Sequence, residues 1–236
     1  MNKQSNVYTI IYIVVLVVVV GAALAFTALS LKPLQTENAN ADKMKQILAS
    51  VHVVPEKGAV IQDFERYITD MYMVNADGNR IEGNAFDINT AVEFKKPLDE
   101  REMPVYECTL GPNDVKYILP MYGAGLWGPI WGYVAVNSDG STIYGAYFAH
   151  QGETPGLGAE IEKPAFSNQF NDKHLIKDGK FLPVAVLKAG QTPMNGEDYV
   201  DAISGGTITS KGVASMIDDC LSGYTKFLES LTSKAQ

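Results

Sequence analysis

No charged residue lies between Lys3 and Lys32, and this feature restricts the fold more than any other. The run from Val7 to Leu31 is predominantly apolar and exceeds the roughly 20 residues with which a helix crosses a membrane. A secretory signal has a shorter apolar core of about 7 to 15 residues, although the GAALA segment of this run would also suit cleavage. We therefore predict a membrane anchor over residues 1–34, with a single span at about residues 8–31.

The remainder of the chain is acidic. The 236 residues carry a formal net charge of -8, whereas the residues up to Leu31 contain a single charge, the positive Lys3. Binding of nucleic acid needs a cluster of Lys and Arg, and the sequence has none, so we expect no nucleic-acid partner. Positive residues flank the span on both sides and do not predict which side of the membrane the rest of the chain faces.

Two cysteines, Cys108 and Cys220, are far apart in the sequence and lack the CxxC or Cys/His spacing of a metal site. We therefore expect no bound metal. Cys220 lies in an apolar helical stripe, which is typical of a buried residue. A disulfide between the two would fit an oxidising compartment, but the sequence does not bring the side chains together, and their pairing stays open.

Three segments follow one another along the chain. After the anchor, residues 35–60 are predicted to form a connecting helix, because apolar residues between Met44 and Val51 recur at helical spacing. Pro55 would end this helix. Residues 61–236 then form one domain.

Alternation of apolar and polar residues predicts strands in this domain. The segment from Tyr67 to Val74 reads as a strand, followed by a turn and a second extended piece from Arg80. Residues 131–136 and 141–150 form a hairpin across the turn sequence NSDG. Residues 181–188 are a further strand candidate.

An amphipathic helix closes the chain, because apolar residues recur at steps of three and four from Val213 to Leu231. Thr209 or Ser210 would cap its N-terminus. Strands followed by a helix give a domain of the α+β class on a membrane tether.

The segment SGGTITS, residues 204–210, immediately precedes this helix. Backbone amides freed by Gly205 and Gly206, the helix N-terminus and the side chain of Lys211 would together bind an anion such as phosphate. The alternative is a capped turn without a ligand.

A second irregular segment, HQGETPGLGAEI (150–161), follows the predicted hairpin. Gly156 and Gly158 allow its backbone to approach a flat ligand closely. No Ser or Cys nucleophile accompanies it, so a hydrolase is disfavoured and His150 is interpreted as structural. Glu153 would accept hydrogen bonds either from a ligand ring or from loop amides.

The segment DAISGGT (201–207) resembles the flavinylation motif, in which a flavin transferase esterifies FMN through its phosphate onto the last threonine. The segments NVYTIIY, LKPLQTEN, GLWGPIWGYVAV, HQGETPGLGAEI and SGGTITSKGV resemble, in this order, the C subunits of the sodium-translocating NADH:quinone oxidoreductases. This resemblance covers nearly the whole chain. It implies an FMN-binding domain of twisted antiparallel sheet and packed helices behind one transmembrane helix.

The resemblance also assigns residues. Thr207 matches the threonine that carries FMN, and Lys188 would suit the phosphate or a flavin carbonyl. The residues implied to lie against or beside the flavin ring are Leu126, Trp127, Glu153, Thr154, Gly156 and Leu157. The remaining residues predicted to bind the cofactor surround the attachment site: Ser204, Gly205, Thr209 and Lys211.

The motif departs from the family pattern at two positions. Gly206 replaces the usual alanine and Ala202 replaces a frequent glycine. Glycine and alanine are both small, so we expect the transferase to recognise the site. Thr209 remains a possible alternative acceptor.

The function implied by the resemblance is electron transfer through covalent FMN in a six-subunit complex of the bacterial inner membrane, an oxidoreductase and translocase. This complex oxidises NADH, reduces quinone and pumps sodium ions, and the globular domain of its C subunit faces the periplasm. The predicted span has no charged residue, so partner subunits would carry the ions. One alternative is the G subunit of an Rnf-type ferredoxin:NAD complex, and another is a non-redox membrane-anchored scaffold.

Overall fold

The computed structural model describes residues 6–235, so Lys3 and the start of the predicted anchor lie outside the described residues. The chain divides into two compact units, residues 1–43 and 44–236. The second unit begins earlier than the predicted domain at residue 61, because Ile47 and Leu48 are fully buried in its core.

Helix α1 (Asn6–Ala49) is the one helix of the described part that is long and apolar enough to cross a membrane. The predicted connector is therefore helical only as far as Ala49 and does not reach Pro55. The helix ends early because His52 adopts a left-handed conformation with φ 60°. The Val53 amide then donates to the Leu48 carbonyl at 3.0 Å, which satisfies an acceptor at the helix end.

The second unit is built around an antiparallel sheet of six strands in the order β2-β1-β3-β4-β5-β6. The strands are β1 (Ile68–Val74), β2 (Arg80–Ile81), β3 (Met103–Gly111), β4 (Asp114–Ala124), β5 (Pro129–Asn137) and β6 (Ile143–His150). The predicted hairpin is confirmed as β5 and β6, in which Tyr133 lies opposite Tyr147. Sheet and helices confirm the predicted α+β class.

Two further small sheets form in the second unit. They comprise the hairpin of β7 (Ile176–Lys177) with β8 (Lys180–Phe181) and the parallel pair of β9 (Ala185–Leu187) with β10 (Tyr199–Asp201). The single strand predicted over residues 181–188 is therefore wrong. It is divided between β8 and β9 because Pro183, which has no amide donor, lies between them.

Helices cover both faces of the main sheet. The helices after α1 are α2 (Val60–Tyr67), α3 (Thr90–Glu93), α4 (Pro164–Ser167), α5 (Thr207–Leu221) and α6 (Thr225–Ala235). One face buries Val105 and Leu119 together with residues of α5 and α6. The other face buries Tyr106 and Ile118 together with the end of α1 and residues of α2. Alternate residues of β3 and β4 thus enter different cores.

The single terminal helix predicted from apolar periodicity is wrong, because a 3-10 turn at residues 222–224 separates α5 from α6. Gly223 in this turn approaches the sheet so closely that an added Cβ would lie 2.5 Å from Sδ of Met103. The neighbouring Tyr224 is fully buried and donates its hydroxyl to the Pro104 carbonyl at 2.8 Å. The 3-10 turn therefore lets α5 and α6 pack against β3, and the apolar residues of both helices stay buried.

The predicted cap of this helix is also wrong. Helix α5 begins at Thr207, with Gly206 at the N-cap and no capping side chain. Ser210 lies inside the first turn, and its hydroxyl accepts the Ile203 amide at 3.0 Å. Thr209 is also inside this turn and hydrogen-bonds elsewhere.

Candidate functional site

A cavity of about 360 Å³ opens where three segments meet: the turn after β4, the loop after β6 and the first turn of α5. Its volume lies in the range of about 300 to 1,000 Å³ that is typical of ligand sites. The residues that line it are Leu126, Trp127, Glu153, Thr154, Leu157, Gly158, Gly205, Gly206, Thr207, Ile208 and Thr209.

The wall formed by α5 depends on a tight turn before the helix. Gly205 has a φ of 76°, which disfavours residues with a Cβ. The Gly206 amide donates to the Ile203 carbonyl at 3.0 Å, and the Ser210 amide donates to the Gly206 carbonyl at 2.9 Å. The first amides of a helix have no acceptor within it, so the start of α5 presents a positive helix end to the cavity.

Thr207 is the first residue of α5, and its side chain is exposed at the cavity. Its hydroxyl makes no hydrogen bond with the residues that the structure describes. The hydroxyl is therefore free to react or to bind a ligand.

Glu153 forms the floor of the cavity and is only 5% exposed. One carboxylate oxygen accepts the Trp127 amide at 2.8 Å, and the other accepts the Thr209 hydroxyl at 2.5 Å. Burial by itself would raise the pKa of Glu153, but hydrogen bonds from Thr209 and from the Trp127 and Leu126 amides outweigh burial and lower the pKa. The side chain is therefore a carboxylate at neutral pH.

His150, at the end of β6, supports the loop that carries Glu153. Its Nδ1 accepts the Glu153 amide at 3.1 Å, so the proton of the neutral ring lies on Nε2. Nε2 in turn faces a carboxylate oxygen of Glu162 at 3.8 Å. These contacts give His150 a structural role away from the cavity lining.

Large apolar side chains surround the mouth of the cavity. Trp127 is 69% exposed and Ile208 56%, and Leu126 and Leu157 are also exposed. Such side chains on a surface indicate a binding site. The cavity thus combines an apolar rim, a buried carboxylate and a helix N-terminus.

The structure brings most of the predicted site residues together and separates a few. Those that line the cavity are Leu126, Trp127, Glu153, Thr154, Leu157, Gly205, Thr207 and Thr209. Those outside the lining are Gly156, Ser204, Lys188 and Lys211. Lys188 follows β9, whose Leu187 carbonyl accepts the Ala202 amide at 2.6 Å, so its backbone lies beside the motif. Ile208 also lines the cavity and was not predicted. Its position next to Thr207 in the motif could have indicated it.

The residues present fit a flavin nucleotide. The exposed apolar rim suits a planar ring, the first amides of α5 suit a phosphate, and Thr207 offers a free hydroxyl beside both. Gly205 leaves the space for Leu157 to line the cavity, because an added Cβ would lie 2.6 Å from Cδ2 of Leu157.

Comparison with known families and proteins gives consistent matches. Residues 125–222 match the model of the FMN-binding domain family, a segment that contains every residue of the cavity lining. The C subunit of the Na(+)-translocating NADH-quinone reductase of Vibrio anguillarum is 32% identical, over 96% of this chain and 95% of that protein. The protein of the same name from Yersinia pestis is 31% identical, over 99% of this chain and 96% of its own length.

Solved structures match as well. The crystal structure of the C subunit of the Na(+)-translocating NADH-quinone reductase from Parabacteroides distasonis has a TM-score of 0.79 and 47% sequence identity, and the match covers 84% of this chain and 96% of that chain. The crystal structure of Shewanella oneidensis NqrC has a TM-score of 0.68 at 26% identity, covering 84% of this chain and all of that one.

Proposed function

This chain belongs to the family of the C subunits of Na(+)-translocating NADH-quinone reductases, and from this premise we propose that it carries FMN in a membrane complex that oxidises NADH, reduces quinone and pumps sodium ions. The relatives are named as subunits, which supports assembly with other subunits of such a complex. Similarity over nearly the full length to these proteins favours this assignment over the Rnf-type alternative.

The observation that carries the proposal is the position of Thr207. Its exposed hydroxyl lies at the N-terminus of α5, at the edge of the cavity and at the end of the DAISGGT motif. A flavin transferase would join the Thr207 oxygen to the phosphate of FMN as a phosphoester. The helix N-terminus and the nearby charge of Lys211 would stabilise that phosphate.

When attached, FMN would supply the transfer of single electrons between redox partners. The side chains of Leu126, Trp127 and Leu157 would pack against the ring and keep water from part of it. The covalent link maintains a high local concentration of the ring, so the shallow cavity need not bind it tightly. We expect one edge of the ring to stay exposed, as electron transfer requires, because the side chains at the mouth of the cavity are themselves exposed.

Helix α1 supports a location in the membrane. Its span has no charged residue, which supports a role as a single anchor and leaves ion transport to partner subunits. We place the domain on the periplasmic side of the bacterial inner membrane. A fusion of alkaline phosphatase to the C-terminus tests this orientation, because the enzyme is active only outside the cytoplasm.

Denaturing electrophoresis tests the attachment. The full chain is expressed with and without a flavin transferase, and the gel is examined for flavin fluorescence before staining. We expect a fluorescent band only with the transferase, and an intact mass increased by one esterified FMN. A band without fluorescence would favour the non-redox scaffold.

A further inference from the structure

Glu153 is a buried carboxylate that hydrogen bonds hold in place. Neither Lys nor Arg forms an ion pair with it within residues 6–235. Its charge is instead stabilised mainly by neutral donors, the Thr209 hydroxyl and the amides of Trp127 and Leu126, and to a smaller extent by the electrostatic influence of His150. A buried carboxylate is costly in free energy unless such donors are held in place, so the surrounding backbone is organised to keep this charge.

The surrounding glycines show how closely the backbone encloses this carboxylate. A Cβ at Gly125 would lie 2.5 Å from one oxygen of Glu153. A Cβ at Gly158 would overlap the other oxygen and the Thr209 hydroxyl. The carboxylate therefore occupies a fitted position between two segments of backbone.

Two of the donors that hold the carboxylate belong to opposite walls of the cavity. The Trp127 amide belongs to the turn between β4 and β5, which is closed by a 2.8 Å hydrogen bond from the Gly125 amide to the Gly128 carbonyl. Thr209 belongs to the first turn of α5, two residues after Thr207. A single side chain thus fixes the Trp127 wall relative to the helix that bears the attachment hydroxyl.

We infer that Glu153 is a positioning residue that sets the spacing of the two cavity walls, and that its fixed charge lowers the reduction potential of the flavin held between them. This inference rests on the proposed attachment of FMN at Thr207. Reduction adds negative charge to the ring, and a buried carboxylate nearby disfavours that change through a medium of low dielectric constant. Glu153 sets the spacing through Trp127 and Thr209 and acts on the potential through its charge, and it does not itself react.

The charge is tested by Glu153→Gln, which keeps the size of the side chain and removes its charge. The matched control is Glu160→Gln in the same loop, where the carboxylate accepts the Gly156 amide at 3.0 Å and does not line the cavity. The flavin-loaded full chain is titrated potentiometrically in detergent. We expect a higher midpoint potential for Glu153→Gln than for the unmodified chain, and no shift for Glu160→Gln.

The spacing is tested by Glu153→Asp, which keeps the charge but cannot reach both walls. The readout is quenching of Trp127 fluorescence by acrylamide in the full chain produced without the transferase. A Trp131→Phe background makes Trp127 the single tryptophan. We expect stronger quenching in Glu153→Asp than in its parent, because the turn that carries Trp127 is released. Circular dichroism verifies that each variant is folded.

Equal midpoint potentials for Glu153→Gln and Glu160→Gln would overturn the role of the charge. Equal quenching of Glu153→Asp and its parent would overturn the role in spacing. A chain that never acquires covalent flavin would refute the proposed function and the effect on potential with it. The fluorescence of the flavin-free chain would then still decide whether Glu153 fixes the Trp127 wall.

Discussion

Thr207 and Thr209 lie on the same first turn of α5 but present their hydroxyls to opposite environments. Thr207 is exposed at the mouth of the cavity, whereas Thr209 is 1% exposed and donates its hydroxyl to Glu153 at 2.5 Å. An acceptor of a phosphoester must be reachable by the transferase and must be free to form a new bond. The geometry therefore supports Thr207 rather than Thr209 as the attachment residue.

The first prediction concerns this choice of acceptor. Thr207→Ala is expected to abolish covalent flavin, and Thr207→Ser is expected to retain it because a hydroxyl remains. Thr209→Val should keep the adduct on Thr207. Fluorescence of the denatured protein and peptide mass mapping measure the result. An adduct that persists in Thr207→Ala and maps to Thr209 would contradict the assignment.

The second prediction concerns the close packing around Glu153. Gly158→Ala introduces a Cβ that overlaps the buried carboxylate and the Thr209 hydroxyl. We expect the free energy of unfolding to fall by about 2 kcal/mol, as in other overpacked interiors. Gly152→Ala, where an added Cβ meets nothing within 4 Å, is the matched control and should be close to neutral. Unfolding in urea, followed by tryptophan fluorescence, compares the two.

Local sequence patterns predicted a helix and several strands of the fold correctly. The apolar run predicted α1, and the alternation on either side of NSDG predicted β5 and β6. Strands β3 and β4 were missed because both of their faces are buried, so Val105 and Tyr106 are apolar neighbours without alternation. The break after Leu221 was missed because the apolar period continues through the 3-10 turn.

The candidate site was predictable only in part. The family resemblance identified most of the residues that line the cavity, because each family motif can be matched residue by residue to this sequence. The hydrogen bond between Glu153 and Thr209 joins residues 56 positions apart, and no local spacing indicates it. Burial of Thr209 also depends on the docking of α5 onto the sheet. This tertiary contact is what distinguishes the two threonines.

The third prediction concerns the cysteines, whose pairing the sequence left open. Both are free and buried, in cores on different faces of the sheet. Burial raises the pKa of Cys108 and of Cys220 to about 12, so neither is a thiolate at neutral pH. A thiol reagent at pH 8 should therefore label neither cysteine in the native chain, and should label both after denaturation without reductant. Fewer than two reactive thiols in the denatured chain would indicate a disulfide.

The fourth prediction concerns the anchor. Val17→Arg places a charge near the middle of the apolar run and should raise the free energy of insertion by about 2.5 to 3.5 kcal/mol. We expect a larger fraction of the chain to be extracted from membranes by alkaline carbonate. Val54→Arg, at a residue that is 82% exposed outside the run, provides the control. Equal extraction of both variants would argue against a membrane span.

The fifth prediction concerns Asp198, which joins the loop before β10 to the β7–β8 hairpin. It accepts hydrogen bonds from the His174 amide at 2.7 Å and from Lys177 Nζ at 2.8 Å. Burial by itself would raise the pKa of Asp198, but the bonds from Lys177 and His174 outweigh it and lower the pKa to about 2.

Because the pKa is lower in the folded chain than in the unfolded one, Asp198 stabilises the fold above the ordinary carboxyl pKa, about 4. That contribution, about 2 kcal/mol at most, is lost as the pH falls from about 4 through 2. Asp198→Asn should therefore be less stable than the unmodified chain at pH 6, and the difference should shrink as the pH approaches 2. Urea unfolding across this range measures it, with the exposed Asp218→Asn as control. A difference that stays constant down to pH 2 would contradict the lowered pKa.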